Sequence, residues 1–316
     1  MCKRTLQNLF TAMYHDKFDY ADFLSCRVID NCELSRYRDR DLLKPNKKLK
    51  AYLKFLNLFL FELLPVNTNV VFSYRKGVGS YDAIAPHSRN KYFFQTDIKS
   101  FFSSINRDLV LFTIEAGKNA SSISDIEQHF ERILELTCID NQLPTGFPTS
   151  PVITNSVLKI FDDALAEGCS QQGLTLTRYS DDIIVSASSN DTIYCAEHLV
   201  KEVLVDTFGD KLRLNQGKSR YFKTGGRIKI LGMLILPNGQ ITVDPNIRKE
   251  IEVLLHFYLT DREKFLDKAN GDLEAGIERI AGYLNYVNTV NQQYLDKLRH
   301  KYGATTVDMF FHRTFN

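Results

Sequence analysis

Residues 176–188 read LTRYSDDIIVSAS. Two β-prone runs rich in Thr, Tyr, Ile and Val meet at two adjacent acids, Asp181 and Asp182. This pattern predicts a strand–turn–strand hairpin with both carboxylates at its tip. Such a tip has two readings. One is a solvated Asp-Asp β-turn, common and inert. The other is a site that uses the charge. Upstream, KYFFQTDI is an aromatic-rich strand ending in Asp97, 84 residues before Asp181. If the two strands are neighbours in one sheet, three carboxylates converge, and they cannot all stay charged without counter-cations. Hard divalent cations suit carboxylate and phosphate oxygens, and two such ions about 4 Å apart can clamp an in-line phosphoryl displacement. Successive residues of a strand point opposite ways, so Asp181 and Asp182 are expected to play unequal roles.

The rest of the chain constrains this less sharply. With 316 residues, 44% of them hydrophobic, it can bury a sizeable core. The net charge of +2 says nothing about partners. Its distribution says more: residues 34–54 carry eight basic side chains against two acids, Asp39 and Asp41, and residues 211–229 carry seven and no acid. Two basic islands suit a polyanion groove, or each is simply a solvated face. The six cysteines form no CxxC pair, which argues against a zinc site. MCKRTLQNLF lacks the apolar core of a secretory signal, so reduced thiols in the cytoplasm are expected. AYLKFLNLFLFELLP is too short and too polar to span a membrane and reads as a core helix.

Along the chain, residues 1–33 read as weakly helical. A helix over 48–64 is closed by Pro65, residues 107–137 are helical, and NQLPTGFPTSPVITN is a shaped loop. A helix follows over about 151–167, stopped by Gly168, with another over 191–206. RIKILGMLILPNGQITVD is a hairpin turning at Asn238-Gly239, and the remainder is helical. The class is α+β with an antiparallel sheet.

At this point five motifs in order resemble those of reverse transcriptases. FFQTDIKSFFSSI resembles the first palm motif, LPTGFPTSPVITN the second, and TRYSDDIIVSA the YxDD hairpin. LRLNQGKSRYF resembles the Asn-and-Lys motif, and KILGMLI the primer grip. The resemblance covers roughly residues 34–243 and is closest to the short bacterial group, the retron enzymes and related phage-defence enzymes. RDRDLLKPNKKLKAYLKFL and DAIAPHSRNKYFFQTDIKSFF are similar to segments of that group. Two departures stand out. Ile230-Leu231-Gly232 occupies a place where retrons carry Val-Thr-Gly, and Ser180 stands where Ala is usual.

The resemblance implies a right-hand polymerase fold. Residues 1–96 would form N-terminal helices and fingers. Residues 97–243 would form the palm, with inserted fingers helices and the primer-grip hairpin, and 244–316 a helical, RNA-binding thumb. It implies that Asp97, Asp181 and Asp182 hold two Mg²⁺ ions, with the Ile98 carbonyl as a further ligand. Phe102, five residues after Asp97, would reject a 2′-hydroxyl, or else is plain core packing beside Phe101. Arg38 and Arg40 would contact the incoming triphosphate. Gly146, Pro148 and Ser150 would shape the floor beneath nucleotide and template. Lys218 would neutralise or protonate the leaving pyrophosphate, or is an ordinary phosphate contact or a solvated lysine. His87, Lys297, Arg299 and Lys301 would contact RNA, against a structural histidine and an ordinary polar helix face.

The implied function is an RNA-directed DNA polymerase that copies a cognate structured non-coding RNA into single-stranded DNA in bacterial anti-phage defence. Its expected partners are that RNA, the RNA–DNA product and deoxynucleoside triphosphates. No RNase H-like acidic set follows the expected thumb and no accessory domain is expected, so RNA removal and the effector step are expected to come from separate proteins. The alternatives are a non-retron defence enzyme making repetitive or untemplated DNA and a non-catalytic RNA-binding scaffold, which the presence of all three acids opposes. A nucleotide cyclase is the other alternative, and it would have no place for LPTGFPTSP.

Overall fold

The apolar runs flanking the acid pair do form a hairpin in the computed structural model, which describes residues 3–15, 17–37, 40–225 and 228–311. Among these residues nine strands make three sheets among helices, so the α+β reading holds. The strands are β1 (Cys32–Tyr37), β2 (Arg40–Pro45), β3 (Tyr92–Asp97), β4 (Thr175–Tyr179), β5 (Asp182–Ala187), β6 (Arg220–Lys223), β7 (Ile228–Ile230), β8 (Met233–Ile235) and β9 (Ile241–Val243). The four-stranded sheet has the order β4-β5-β3-β6. Its two inner strands, β5 and β3, are therefore the ones that carry the acids.

The chain forms two compact units. The first comprises Met1–Gly79 and Phe93–Tyr221. Its N-terminal core is aromatic: the Phe10 ring lies 5.0 Å from Phe23 and 5.3 Å from Phe55. The membrane-like run supplies the helix Lys47–Phe59, capped by Asn46, whose side chain accepts from the Leu49 N–H at 2.9 Å. This helix buries Leu49, Tyr52, Leu53, Phe55 and Leu56. It stops short of the expected Leu64, because Leu60 leaves helical geometry at φ −131° and a 3₁₀ turn carries Phe61 into the core. Among the described residues no helix is long and apolar enough to cross a membrane.

The structure adds one element and corrects two further expectations. The first basic island contains the antiparallel ribbon β1–β2, with Leu34 opposite Leu43. The helix expected over 151–167 is two helices, Ser150–Val157 and Lys159–Gln171, and Gly168 does not stop the second. Gly168 instead lets that helix approach the helix Ala196–Phe208, since a Cβ there would lie 2.9 Å from Leu199 Cδ1.

The second correction falls in the second unit, Ser80–Tyr92 and Phe222–Asn316. The expected hairpin is a three-stranded antiparallel meander, β7-β8-β9. Its extra turn is Leu231-Gly232, both at positive φ (47° and 84°), as a type I′ turn requires. Helices follow. Pro245 opens the helix Pro245–Thr260, where its missing N–H costs no hydrogen bond. Its residues Ile251 and Leu254 are buried, as are Ile280 and Leu284 of the helix Leu273–Val290 and Leu295 and Leu298 of the helix Gln292–Tyr302.

Candidate active site

β4 and β5 pair with Tyr179 opposite Asp182, which leaves Ser180 and Asp181 as the two turn residues. Ser180 has φ +60°, the sign a II′ hairpin turn needs at its first central position, where Gly is usual. Left-handed backbone costs a non-glycine residue roughly 1–2 kcal/mol. Three hydrogen bonds hold Ser180 there. Its N–H donates to Ser73 Oγ at 2.7 Å, its carbonyl accepts from Arg178 Nη1 at 2.9 Å, and its hydroxyl lies 2.9 Å from the Tyr74 hydroxyl. Ser73 is in place because residues 70–72 run beside β4: the Arg178 N–H donates to the Val70 carbonyl, and the Phe72 N–H to the Arg178 carbonyl.

Asp97 ends β3, next to β5. The following residue, Ile98, donates its N–H to the Asp181 carbonyl at 3.2 Å, and the Asn215 N–H donates to the Asp97 carbonyl at 2.8 Å. Asp97 is 4% exposed. Its Oδ2 accepts from Lys218 Nζ, while its Oδ1 is buried with no hydrogen-bond partner among the described residues. Asp182 accepts from Gln95 Nε2 at 3.3 Å. Burial first, then the charges of Asp181 and Asp97, hold the Asp182 carboxyl above its ordinary range, with Gln95 and Lys218 opposing. The bond to Asp97 raises the Lys218 ammonium.

These residues fit a hard divalent cation. A buried, unpartnered carboxylate oxygen costs about 1–3 kcal/mol, the donors are all oxygens, and the crowded negative charge on Asp182 needs a counter-charge. Among the described residues no three His, Cys, Asp or Glu side chains already close on one point. Lys218 instead holds one oxygen of Asp97, and Gln95 holds Asp182.

A cleft of about 510 Å³ opens over Asp97, Asp181 and Lys218, lined also by Asp41, Tyr74, Phe101 and Phe102, while Asp182 lies outside its lining. Phe101 and Phe102, with ring centroids 5.4 Å apart, both line the cleft, and Phe101 is the more buried of the two. Of the Gly-and-Pro loop, Thr145 reaches the cleft, and the three residues expected at its floor have other contacts. Gly146, at φ +111°, lies against β2, where a Cβ would meet the Leu43 carbonyl oxygen at 2.5 Å. The Pro148 carbonyl accepts from Asn57 Nδ2 at 2.8 Å, and Ser150 Oγ donates to the Pro144 carbonyl at 2.7 Å. Arg38 lies outside the described residues. Arg40 opens β2, but its side chain is likewise outside them.

In the second unit His87 is fully buried, and burial pushes its pKa down to about 3. The RNA contact expected of it has no surface on which to form. Arg299 pairs with Asp296 and Asp308, and Lys301 with Glu252, all within the unit. Lys297 is exposed and makes no ion pair among the described residues.

The sequence pattern of the reverse transcriptases (RNA-dependent DNA polymerases) matches residues 38–235, well over half of the chain. The chain belongs to the reverse transcriptase family. It is an RNA-directed DNA polymerase of the bacterial, retron type, and the family depends on divalent metal. The reverse transcriptase is 28% identical to the retron Ec73 enzyme of Escherichia coli over 283 residues, covering 83% of each chain. It is 22% identical to the retron Ec83 enzyme of the same organism, covering 85% of this chain and 84% of that one. The retron Mx65 enzyme of Myxococcus xanthus is 24% identical, over 80% of this chain and 59% of its own. Among solved structures, apo telomerase from Candida tropicalis matches 90% of this chain and 62% of its own at TM-score 0.47 and 12% identity, too distant to carry an argument.

Four residues of the reverse transcriptase's site escaped the sequence reading: Ser73, Tyr74, Asp162 and Arg178. For Arg178 there was a signal. A lone arginine inside an apolar strand run is costly to bury without a partner.

Proposed function

We propose that this polymerase copies a cognate structured RNA into single-stranded DNA in the retron manner, starting from a 2′-hydroxyl of that RNA, as part of bacterial anti-phage defence. Its retron relatives support the substrate class. The observation that carries the site is Asp97, whose buried Oδ1 has no hydrogen-bond partner among the described residues and whose chain continues directly into the hydrogen bond from Ile98 to Asp181.

Asp97, Asp181 and Asp182 would hold two Mg²⁺ ions, with the Ile98 carbonyl as a further ligand. Bound there, the ions stabilise the attacking and leaving oxygens of an in-line displacement. Lys218 neutralises or protonates the departing pyrophosphate. Phe102 packs under the sugar and excludes a 2′-hydroxyl, which selects deoxynucleotides. Arg38 and Arg40 bind the triphosphate. Thr145, backed by Gly146, Pro148 and Ser150, supports the nucleotide from below. Residues 1–96 act as fingers with N-terminal helices, 97–243 as palm and 244–316 as thumb, with Lys297 as its exposed RNA contact. A separate protein supplies the effector step.

The test is to purify the protein with its co-bound nucleic acid and supply labelled deoxynucleotides with Mg²⁺. Incorporation into a product whose DNA remains joined to RNA until ribonuclease treatment, and its loss in Asp181→Asn/Asp182→Asn, is the expected result. Equal incorporation by that double variant sinks the assignment of the hairpin.

A further inference from the structure

Arg178 is completely buried, and every polar group it meets is buried too. Its Nε and Nη2 bond both oxygens of Asp162, at 2.7 and 2.6 Å. Its Nη1 donates to the Ser180 carbonyl at 2.9 Å and to Asn155 Oδ1 at 3.3 Å. Asn155 Nδ2 in turn donates to the Ser73 carbonyl at 2.8 Å, and Ser73 Oγ accepts the Ser180 N–H. The bonds close a ring: Arg178, Asn155, Ser73, Ser180 and back to Arg178. Burial pushes the Asp162 carboxyl up, and the guanidinium on both its oxygens pulls it back.

A buried ion pair is a poor source of stability, because desolvating two charges uses up most of their attraction. This one ends on an atom with a specific consequence. The Ser180 carbonyl belongs to the peptide that joins Ser180 to Asp181. Fixing that carbonyl fixes the peptide plane that leads into Asp181, and the Ile98 N–H on the Asp181 carbonyl fixes the plane that leads out, so together they set the backbone from which the carboxylate projects. The same guanidinium is bonded to Asn155, in the helix that follows the Gly-and-Pro loop.

We infer that the Arg178–Asp162 pair is a positioning device for Asp181, locking the Ser180–Asp181 peptide plane and joining the acid hairpin to the helix behind the nucleotide floor. It rests on the reading of Asp181 as part of the polymerising centre. Arg178 touches no reacting atom and acts only through Asp181.

The experiment removes the pair as a unit. Arg178→Met/Asp162→Leu replaces two buried charges by apolar groups, a change that often leaves folding intact. Three quantities are read: the thermal midpoint, Mn²⁺ binding to the nucleotide-free protein by electron paramagnetic resonance, and kcat and KM for deoxynucleotide incorporation. With the thermal midpoint kept, Mn²⁺ binding weakens at least about 10-fold. The kcat falls about 100-fold while KM stays within a few-fold of wild type. A folded double variant with wild-type Mn²⁺ binding and kcat overturns the inference, since the pair would then serve packing alone.

Arg178→Lys is the second variant. It keeps a buried cation facing Asp162 but cannot also reach the Ser180 carbonyl and Asn155, and the same loss of Mn²⁺ binding and kcat is expected. Retained binding and kcat in this variant overturn the inference even where the double variant does not fold. Failure of the wild-type protein to incorporate deoxynucleotides marks instead the failure of the underlying reading of the hairpin.

Discussion

The backbone N–H of Ile98 donates to the carbonyl of Asp181 at 3.2 Å. One strand end is thereby bonded to the hairpin tip, so two acids separated by 84 residues of chain move as one object. The metal-binding role proposed for this pair would need that rigidity, because a misplacement of about 1 Å can cost on the order of 100-fold in rate.

Phe102 lines the cleft beside Asp97 and is the less buried of the Phe101–Phe102 pair. Phe102→Ala therefore opens the space that we propose lies under the sugar, at the less buried of the two rings. The preference for deoxy- over ribonucleotides, measured as the ratio of their kcat/KM values, is expected to fall by about 100-fold. Thermal stability is expected to change little. An unchanged ratio would return Phe102 to a packing role.

Gly146 combines φ +111° with a site where a Cβ would lie 2.5 Å from the Leu43 carbonyl oxygen. Neither β2 nor the loop can yield without breaking the bond from the Leu43 N–H to the Thr145 carbonyl. Gly146→Ala is expected to cost roughly 1–3 kcal/mol, lowering the thermal midpoint by several degrees. Gly217→Ala, where a Cβ meets nothing nearer than 3.6 Å, serves as the near-neutral control.

Ser180 carries a positive φ and a hydroxyl bonded to Tyr74. Ser180→Ala loses the bond and keeps the strain, while Ser180→Gly loses the bond and relieves the strain. The glycine variant is expected to be the more stable of the two by about 1 kcal/mol in urea unfolding. The reverse order would show that the turn stores no strain at this residue.

Burial holds the His87 pKa near 3, whereas the unfolded chain protonates near 6.5. Between these values the unfolded state binds the extra proton, so the contribution of His87 to stability is full above pH 6.5 and is lost as pH falls toward 3. At pH 5 the loss is about 2 kcal/mol. His87→Leu should flatten the pH dependence of unfolding over this window relative to wild type, and an unchanged slope would count against a buried neutral imidazole.

The sequence by itself determined the residues of the candidate site and their order along the chain. Strand propensity on both sides of Asp181 and Asp182 fixes a hairpin, an aromatic strand ending at Asp97 supplies the third acid, and Asn215 and Lys218 follow within one short motif. These signals are local, carried by side-chain type and by spacings of a few residues. Tertiary structure decided what holds the acids in place. Arg178 finds Asp162 on a helix 16 residues away and shares a ring of hydrogen bonds with Ser73, 107 residues from Ser180. The partner of Gly146 lies in a ribbon that reads in the sequence only as a basic island, and the RNA contact open to His87 in the sequence closes once its burial is seen. A buried charge or a crowded glycine is defined by what surrounds it in space, and no local pattern carries that information.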